Sequence, residues 1–159
     1  RKVLAMLEKI NNDPAGGTDE EKVARFIEKF KKAKGTDDEF RIMGVGHRVD
    51  KNGDHRAPSL HALGKAYAKE KGGDAMKWFD IGEKVQKIML EQKNIHPNVD
   101  FPCGMTYFVM GIPVPQYTPI FVASRITGWA AHVMEQHANN RLIRPLSQYT
   151  GPAIRKWNG

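Results

Sequence analysis

The residues best suited to chemistry lie together in Ile42-Met-Gly-Val-Gly-His-Arg-Val-Asp-Lys-Asn-Gly-Asp-His-Arg-Ala-Pro58. Gly44 and Gly46 permit a tight bend and close backbone approach to a ligand, which leaves His47 exposed on the bend. An imidazole exchanges a proton near neutral pH. Arg56 follows shortly after, and a guanidinium clamps a carboxylate with two hydrogen bonds. Pro58 is well placed to start a helix. The set describes a loop that holds a small anionic substrate. A glycine turn beside a histidine is also ordinary structural punctuation, and the spacing leaves both readings open. The glycine pair is not a dinucleotide fingerprint, because the third glycine and the strand–helix context are absent.

Asp100 follows an extended loop and stands two residues before Pro102 at a helix start. A carboxylate there is favoured by the helix dipole and the orphan amides, or it serves as a general base against a carbon acid. Arg125 sits among Ile120, Phe121, Val122, Ile126 and Trp129. An arginine on an apolar face snorkels to water or clamps a carboxylate in a cleft. Arg144 precedes Pro145 in a turn after that helix. His132 and His137 fall on different helix faces, and His55, His61 and His96 lack ligand spacing, so no metal site is expected. Cys103 has no adjacent activating partner and reads as a packed thiol.

The elements that must position these residues are helical. Leu4, Leu7 and Ile10 form the stripe of an opening helix that lacks its own N-terminal cap. Thr18-Asp-Glu-Glu21 has capping-box spacing and leads into Val23, Phe26, Ile27 and Phe30, with Gly35 as the stop. Phe40 to Met43 is a short extended run. A helix is predicted from Pro58 to Gly72-Gly73, and another after Asp74 as N-cap. A third, short one runs from about Pro102 to Met110. Residues 112–117 form a linker, and the longest helix opens at Thr118-Pro119 and ends near Asn139. No alternating pattern of useful length and no repeat appears. The fold class is all-α.

At 159 residues the chain suits one domain with a core, or a domain with an appendage. No apolar run approaches the roughly 20 residues that cross a bilayer, and no basic-then-apolar leader opens the sequence as given. Cys103 is the single cysteine, which excludes an intrachain disulfide and a cysteine-rich metal site. A cytoplasmic, reducing compartment is expected, with no membrane association. The net charge of +7 comes with Lys29, Lys31, Lys32 and Lys34 at one helix end. Aromatic residues do not interleave with them as stacking platforms for nucleic acid would. A solvated basic face, or steering of anionic substrates, fits that pattern.

Five motifs in order carry a resemblance: Met43-Gly-Val-Gly-His-Arg48, Gly53-Asp-His-Arg56, Pro97-Asn-Val-Asp-Phe101, Ser124-Arg-Ile-Thr-Gly-Trp-Ala-Ala-His132 and Ile143-Arg-Pro-Leu-Ser-Gln-Tyr-Thr-Gly151. Together they resemble the citrate synthase family, including the 2-methylcitrate synthases, over nearly the whole chain. The resemblance implies an all-α fold and condensation of an acyl-CoA with oxaloacetate, with no cofactor besides acyl-CoA as a substrate. It assigns Asp100 as the base that deprotonates the acyl carbon and His47 as the group that polarises the oxaloacetate carbonyl. Arg56, Arg125 and Arg144 match carboxylate-binding arginines, the last contributed across a homodimer interface in this family. Phe121 matches an aromatic beside the catalytic centre. Met43, Gly44, Val45 and Gly46 match the segment that meets the adenine of CoA, and Lys51 a phosphate contact.

The resemblance divides the chain into a small-domain part, residues 1–112, and a C-terminal segment, 113–159, that packs on a large domain. The family's other catalytic histidine precedes the segment resembling Arg1 to Ile10, so the chain alone is expected to be inactive or very slow. The stripe of Ile120, Phe121, Trp129, Val133 and Met134 is then expected to need another chain or the missing large domain. Three positions depart from the family: Val45 stands where an aromatic is usual, Asp50 where tyrosine is usual, and His55 where proline is frequent. Acetyl-CoA and propionyl-CoA are both open as substrates. A non-catalytic domain that binds CoA or a polyanion is the alternative from another class.

Overall fold

A computed structural model describes residues 1–37 and 39–157. These form six α-helices: α1 (Lys2–Asn11), α2 (Asp19–Ala33), α3 (Arg56–Lys71), α4 (Ala75–Lys93), α5 (Asp100–Val109) and α6 (Tyr117–Ala138), with a 3-10 turn at Val114–Gln116. Among the described residues there is no strand, and a lone antiparallel bridge joins Val45 to Pro97. The all-α expectation holds. No helix among these residues is long and apolar enough to cross a membrane.

The chain divides into two compact units, Arg1–Phe121 and Val122–Gly159. In the first, α2 opens on the predicted capping box. The Thr18 hydroxyl accepts from the Glu21 amide at 3.3 Å, and the Glu21 carboxylate accepts from the Thr18 amide at 2.8 Å. Acidic side chains fill the first turn and Lys31 and Lys32 the last, as the dipole favours.

Three helix starts differ from the sequence expectation: α6 opens at Tyr117 instead of at Thr118-Pro119, and the two others differ for a local reason. Helix α3 begins at Arg56, not Pro58. The Asp54 carboxylate accepts from the Arg56 amide at 3.0 Å, and the Asp54 carbonyl accepts from the Ala57 amide. Pro58 falls within the first turn, where its missing N–H costs no helix bond. Helix α5 begins at Asp100, not Pro102, because the Asn98 side chain accepts from the Asp100 amide at 3.0 Å. Asp74 does occupy the N-cap position of α4, yet its side chain makes no capping bond.

Helix α5 runs through the middle of this unit and packs against α1, α3 and α4. Phe101, Pro102, Gly104, Met105, Thr106 and Val109 are all buried along it, so it is apolar around most of its circumference. Phe101 and Met105 join Leu7, Phe79, Ile81 and Val85 in the fully buried core. Each such side chain contributes about 1.5–3 kcal/mol on burial. That packing holds the N-terminal end of α5, and with it Asp100, against rigid neighbours.

The second unit holds most of α6 and the segment after it, in which residues 141–157 form no helix. Ile126, Trp129, Val133 and Met134 on the helix, and Leu142, Ile143 and Leu146 beyond it, are exposed in this chain.

Candidate active site

The glycine loop is built against α1 and α5. Gly44 has φ of 79°, and a Cβ there would come within 2.7 Å of the Val3 side chain and 2.9 Å of the Phe101 ring. Only glycine fits both the left-handed backbone and the space. The Gly46 amide donates to the His96 carbonyl at 2.7 Å. Asn98 then ties the loop down: its amide donates to the Gly44 carbonyl at 2.9 Å and its side-chain NH2 to the Gly46 carbonyl at 2.8 Å. The same side chain accepts from the Asp100 amide. One asparagine therefore sets the spacing between the glycine loop and the proposed base.

His47 is exposed, as the sequence predicts. Its Nδ1 accepts from the Asp50 amide at 2.9 Å and from the Val49 amide at 3.3 Å. Two donors on Nδ1 place the proton of a neutral ring on Nε2, ready to be donated outward. The Asp50 carboxylate lies 3.1 Å from the same Nδ1.

Arg56 already grips a carboxylate, that of Asp54. Its Nε and Nη2 donate to Asp54 at 2.9 and 2.7 Å, a bidentate pair. Asp54 is buried, whereas the Arg56 side chain is 57% exposed. Arg56 holds the Asp54 carboxyl far below the ordinary carboxylate range, against the opposing effect of burial, and the Arg56 and Val99 amides assist. Asp54 in turn raises Arg56, and Asp50 adds to the attraction. The Val99 contact joins the start of α3 to the residue before Asp100.

The linkage has a definite sign. The folded carboxyl of Asp54 binds its proton at lower pH than the unfolded one, so the pair stabilises the fold fully above the unfolded carboxylate value of about 4. That contribution is lost as pH falls below about 4 towards the folded value. Urea midpoints measured across this range should therefore fall more steeply with acidification for the parent than for Asp54→Asn. Parallel curves would refute the assignment. Arg56→Ala should destabilise more at pH 7 than Asp54→Asn, because it leaves a buried carboxylate unpaired.

A cleft of about 470 Å³ opens beside the start of α5, lined by Met43, Gly44, Asp100, Cys103, Tyr107 and Phe121, among others. It brings together four residues singled out from the sequence: Met43, Gly44, Asp100 and Phe121. Val45 and Gly46 follow in the same loop. His47, Lys51 and Arg56 are not in its lining. Arg125 and Arg144 belong to the second unit. Cys103 is half-buried, its thiol pushed up by burial, which suits a protonated packing group rather than a nucleophile. A separate hollow of about 260 Å³ beside Lys9, Lys22 and Lys29 contains none of the residues proposed for chemistry. Sequence reasoning passed over Asn98 and Asp54. Each stands two residues before a helix start and accepts from that helix's first amide, and an asparagine or aspartate so placed is a recognisable turn signal.

A buried helix presenting a carboxylate beside a glycine–histidine loop corresponds to a known class: the model of the citrate synthase C-terminal domain matches residues 1–146. The chain belongs to the citrate synthase family. It is 48% identical over 111 residues to the citrate synthase of Mycolicibacterium smegmatis, covering 70% of this chain and 29% of that protein. It is also 48% identical over 118 residues to 2-methylcitrate synthase 1 of Corynebacterium glutamicum, covering 74% of this chain and 30% of that protein. The crystal structure of citrate synthase from Thermotoga maritima MSB8 matches with a TM-score of 0.75 at 35% identity, over 98% of this chain and 39% of that one. The chain thus spans well under half the length of these relatives, 29% to 39% of each.

Proposed function

We propose that this chain supplies one side of the site for a citrate synthase-type condensation of an acyl-CoA with oxaloacetate. The observation that carries the reading is the placement of Asp100 at the cleft, tied through Asn98 to the loop that bears His47. Asp100 removes a proton from the acyl carbon next to the thioester. The resulting enolate attacks the oxaloacetate carbonyl, which His47 polarises through Nε2–H. The new alkoxide is protonated, and water cleaves the thioester to release CoA. Charge developing on the thioester oxygen needs its own donor.

Arg56, Arg125 and Arg144 pair with the carboxylates of oxaloacetate, with Phe121 alongside. For Arg56 this uses the donors not engaged by Asp54. Met43, Gly44, Val45 and Gly46 meet the CoA adenine and Lys51 a phosphate. Holding both substrates in register supplies several kcal/mol of barrier reduction. The exposed apolar face of α6 supports a homodimer or association with a large domain. The single half-buried cysteine supports a cytoplasmic setting.

Calorimetry on the chain with oxaloacetate and with CoA tests the reading. Oxaloacetate should bind, and Arg125→Ala should weaken it at least about tenfold, the loss of a charged hydrogen-bond pair. Absence of oxaloacetate binding, with nucleic-acid binding of steep salt dependence instead, would favour a polyanion-binding domain. A second reading, 2-methylcitrate synthesis from propionyl-CoA, is supported by the equal 48% identity to a citrate synthase and to a 2-methylcitrate synthase. One methylene is worth about 1–3 kcal/mol in a pocket, so comparing the two acyl-CoAs decides it.

A further inference from the structure

The Asp50 carboxylate stands 3.1 Å from Nδ1 of His47, and the Asp50 amide reaches the same atom at 2.9 Å. The two contacts favour different states of the ring. A bare Nδ1 is hydrogen-bonded by the Val49 and Asp50 amides but faces a carboxylate oxygen lone pair against lone pair. A protonated Nδ1 loses those two donors and gains a charge-assisted bond to Asp50. His47 and Asp50 are 39% and 44% exposed in their side chains, so a bound anion can reach the ring.

We propose that Asp50 is a positioning residue that gives His47 a doubly protonated state when a dianionic 2-oxo acid binds, with Nδ1–H held by the Asp50 carboxylate and Nε2–H on the substrate carbonyl. The inference rests on the proposed role of His47. The substrate's negative charge favours a cationic ring, and Asp50 supplies the acceptor that a cationic ring needs at Nδ1, as an aspartate does for the histidine of a hydrolase triad. The proton then has a complete path. As the carbon–carbon bond forms, the carbonyl π pair moves onto oxygen and takes the Nε2 proton. The N–H bonding pair stays on Nε2, and a neutral ring with Nδ1–H remains against Asp50. Asp50 also acts on Arg56, so one carboxylate serves the histidine and a carboxylate-binding arginine together.

Nitrogen NMR of the full chain labelled with 15N-histidine at pH 7, with His47 assigned by its loss in His47→Gln, tests this without turnover. With saturating oxaloacetate, both ring nitrogens of His47 should show proton-bearing shifts in the parent. In Asp50→Asn, whose amide donates to Nδ1, that nitrogen should show the shift of a bare acceptor. A bare Nδ1 in the parent complex, with Nε2 responding to oxaloacetate, would overturn the role of Asp50 while leaving the carbonyl-polarising role intact. No response of His47 to oxaloacetate in either protein would remove the role of His47 itself, and this inference with it.

Discussion

Asp100→Asn is expected to slow any condensation the protein supports by about 10²- to 10⁴-fold, the usual worth of a positioned proton acceptor. Asparagine keeps the shape and cannot take a proton. The first turn of α5 keeps its Asn98 contact, because that bond uses the backbone amide of residue 100. Loss of a carboxylate at a helix start costs the fold only about 0.3–1 kcal/mol. Thiol release with acetyl-CoA and oxaloacetate reads the first effect and thermal melting the second. Oxaloacetate affinity should stay within about twofold, since this carboxylate is assigned to the acyl substrate. A loss of oxaloacetate binding equal to the loss of rate would place Asp100 in ground-state binding instead.

Gly44→Ala is expected to damage the fold severely. A left-handed alanine costs roughly 1–2 kcal/mol. The added Cβ also meets Val3 and Phe101, both in the packed interior, including the Phe101 Cα at 3.0 Å. Forcing a methyl into packed surroundings costs about 1–3 kcal/mol more. The sum is a large share of the ~5–15 kcal/mol that holds a domain folded, and the melting temperature should fall by roughly 10–20 °C. Gly16→Ala is the control: φ is 64° and nothing lies within 4 Å of its Cβ, so it carries the conformational cost alone. Equal losses at the two positions would show that contact with Val3 and Phe101 matters little.

Features fixed by neighbours in sequence were the ones legible from sequence. The Thr18–Glu21 box, the amphipathic stripe of α2 and the last helix depend on residues three or four apart, and the structure places them within a residue or two of expectation. The displaced starts of α3 and α5 depend on Asp54 and Asn98, whose side chains compete for backbone amides that a proline-based reading assigns to nothing. Arg56 shows the same limit. Its type announces a carboxylate clamp, but burial of Asp54 two residues earlier arises only when α3 and the segment before α5 come together, and periodicity carries no trace of it. The bend at Gly44 was legible because glycine is informative wherever backbone must approach closely. Its reason, the Phe101 ring of a distant helix, was not.

The burial of α5 on nearly every side has a consequence for the order in which the molecule opens. A helix covered by α1, α3 and α4 exposes its amides to solvent only when those neighbours depart, so its protons should exchange at the rate of whole-domain opening. The lysine-rich end of α2 and the segment after α6 should exchange orders of magnitude sooner. Asp100 is thus carried by the last structure to yield, and the protein can breathe widely at its periphery without its proposed base losing its footing.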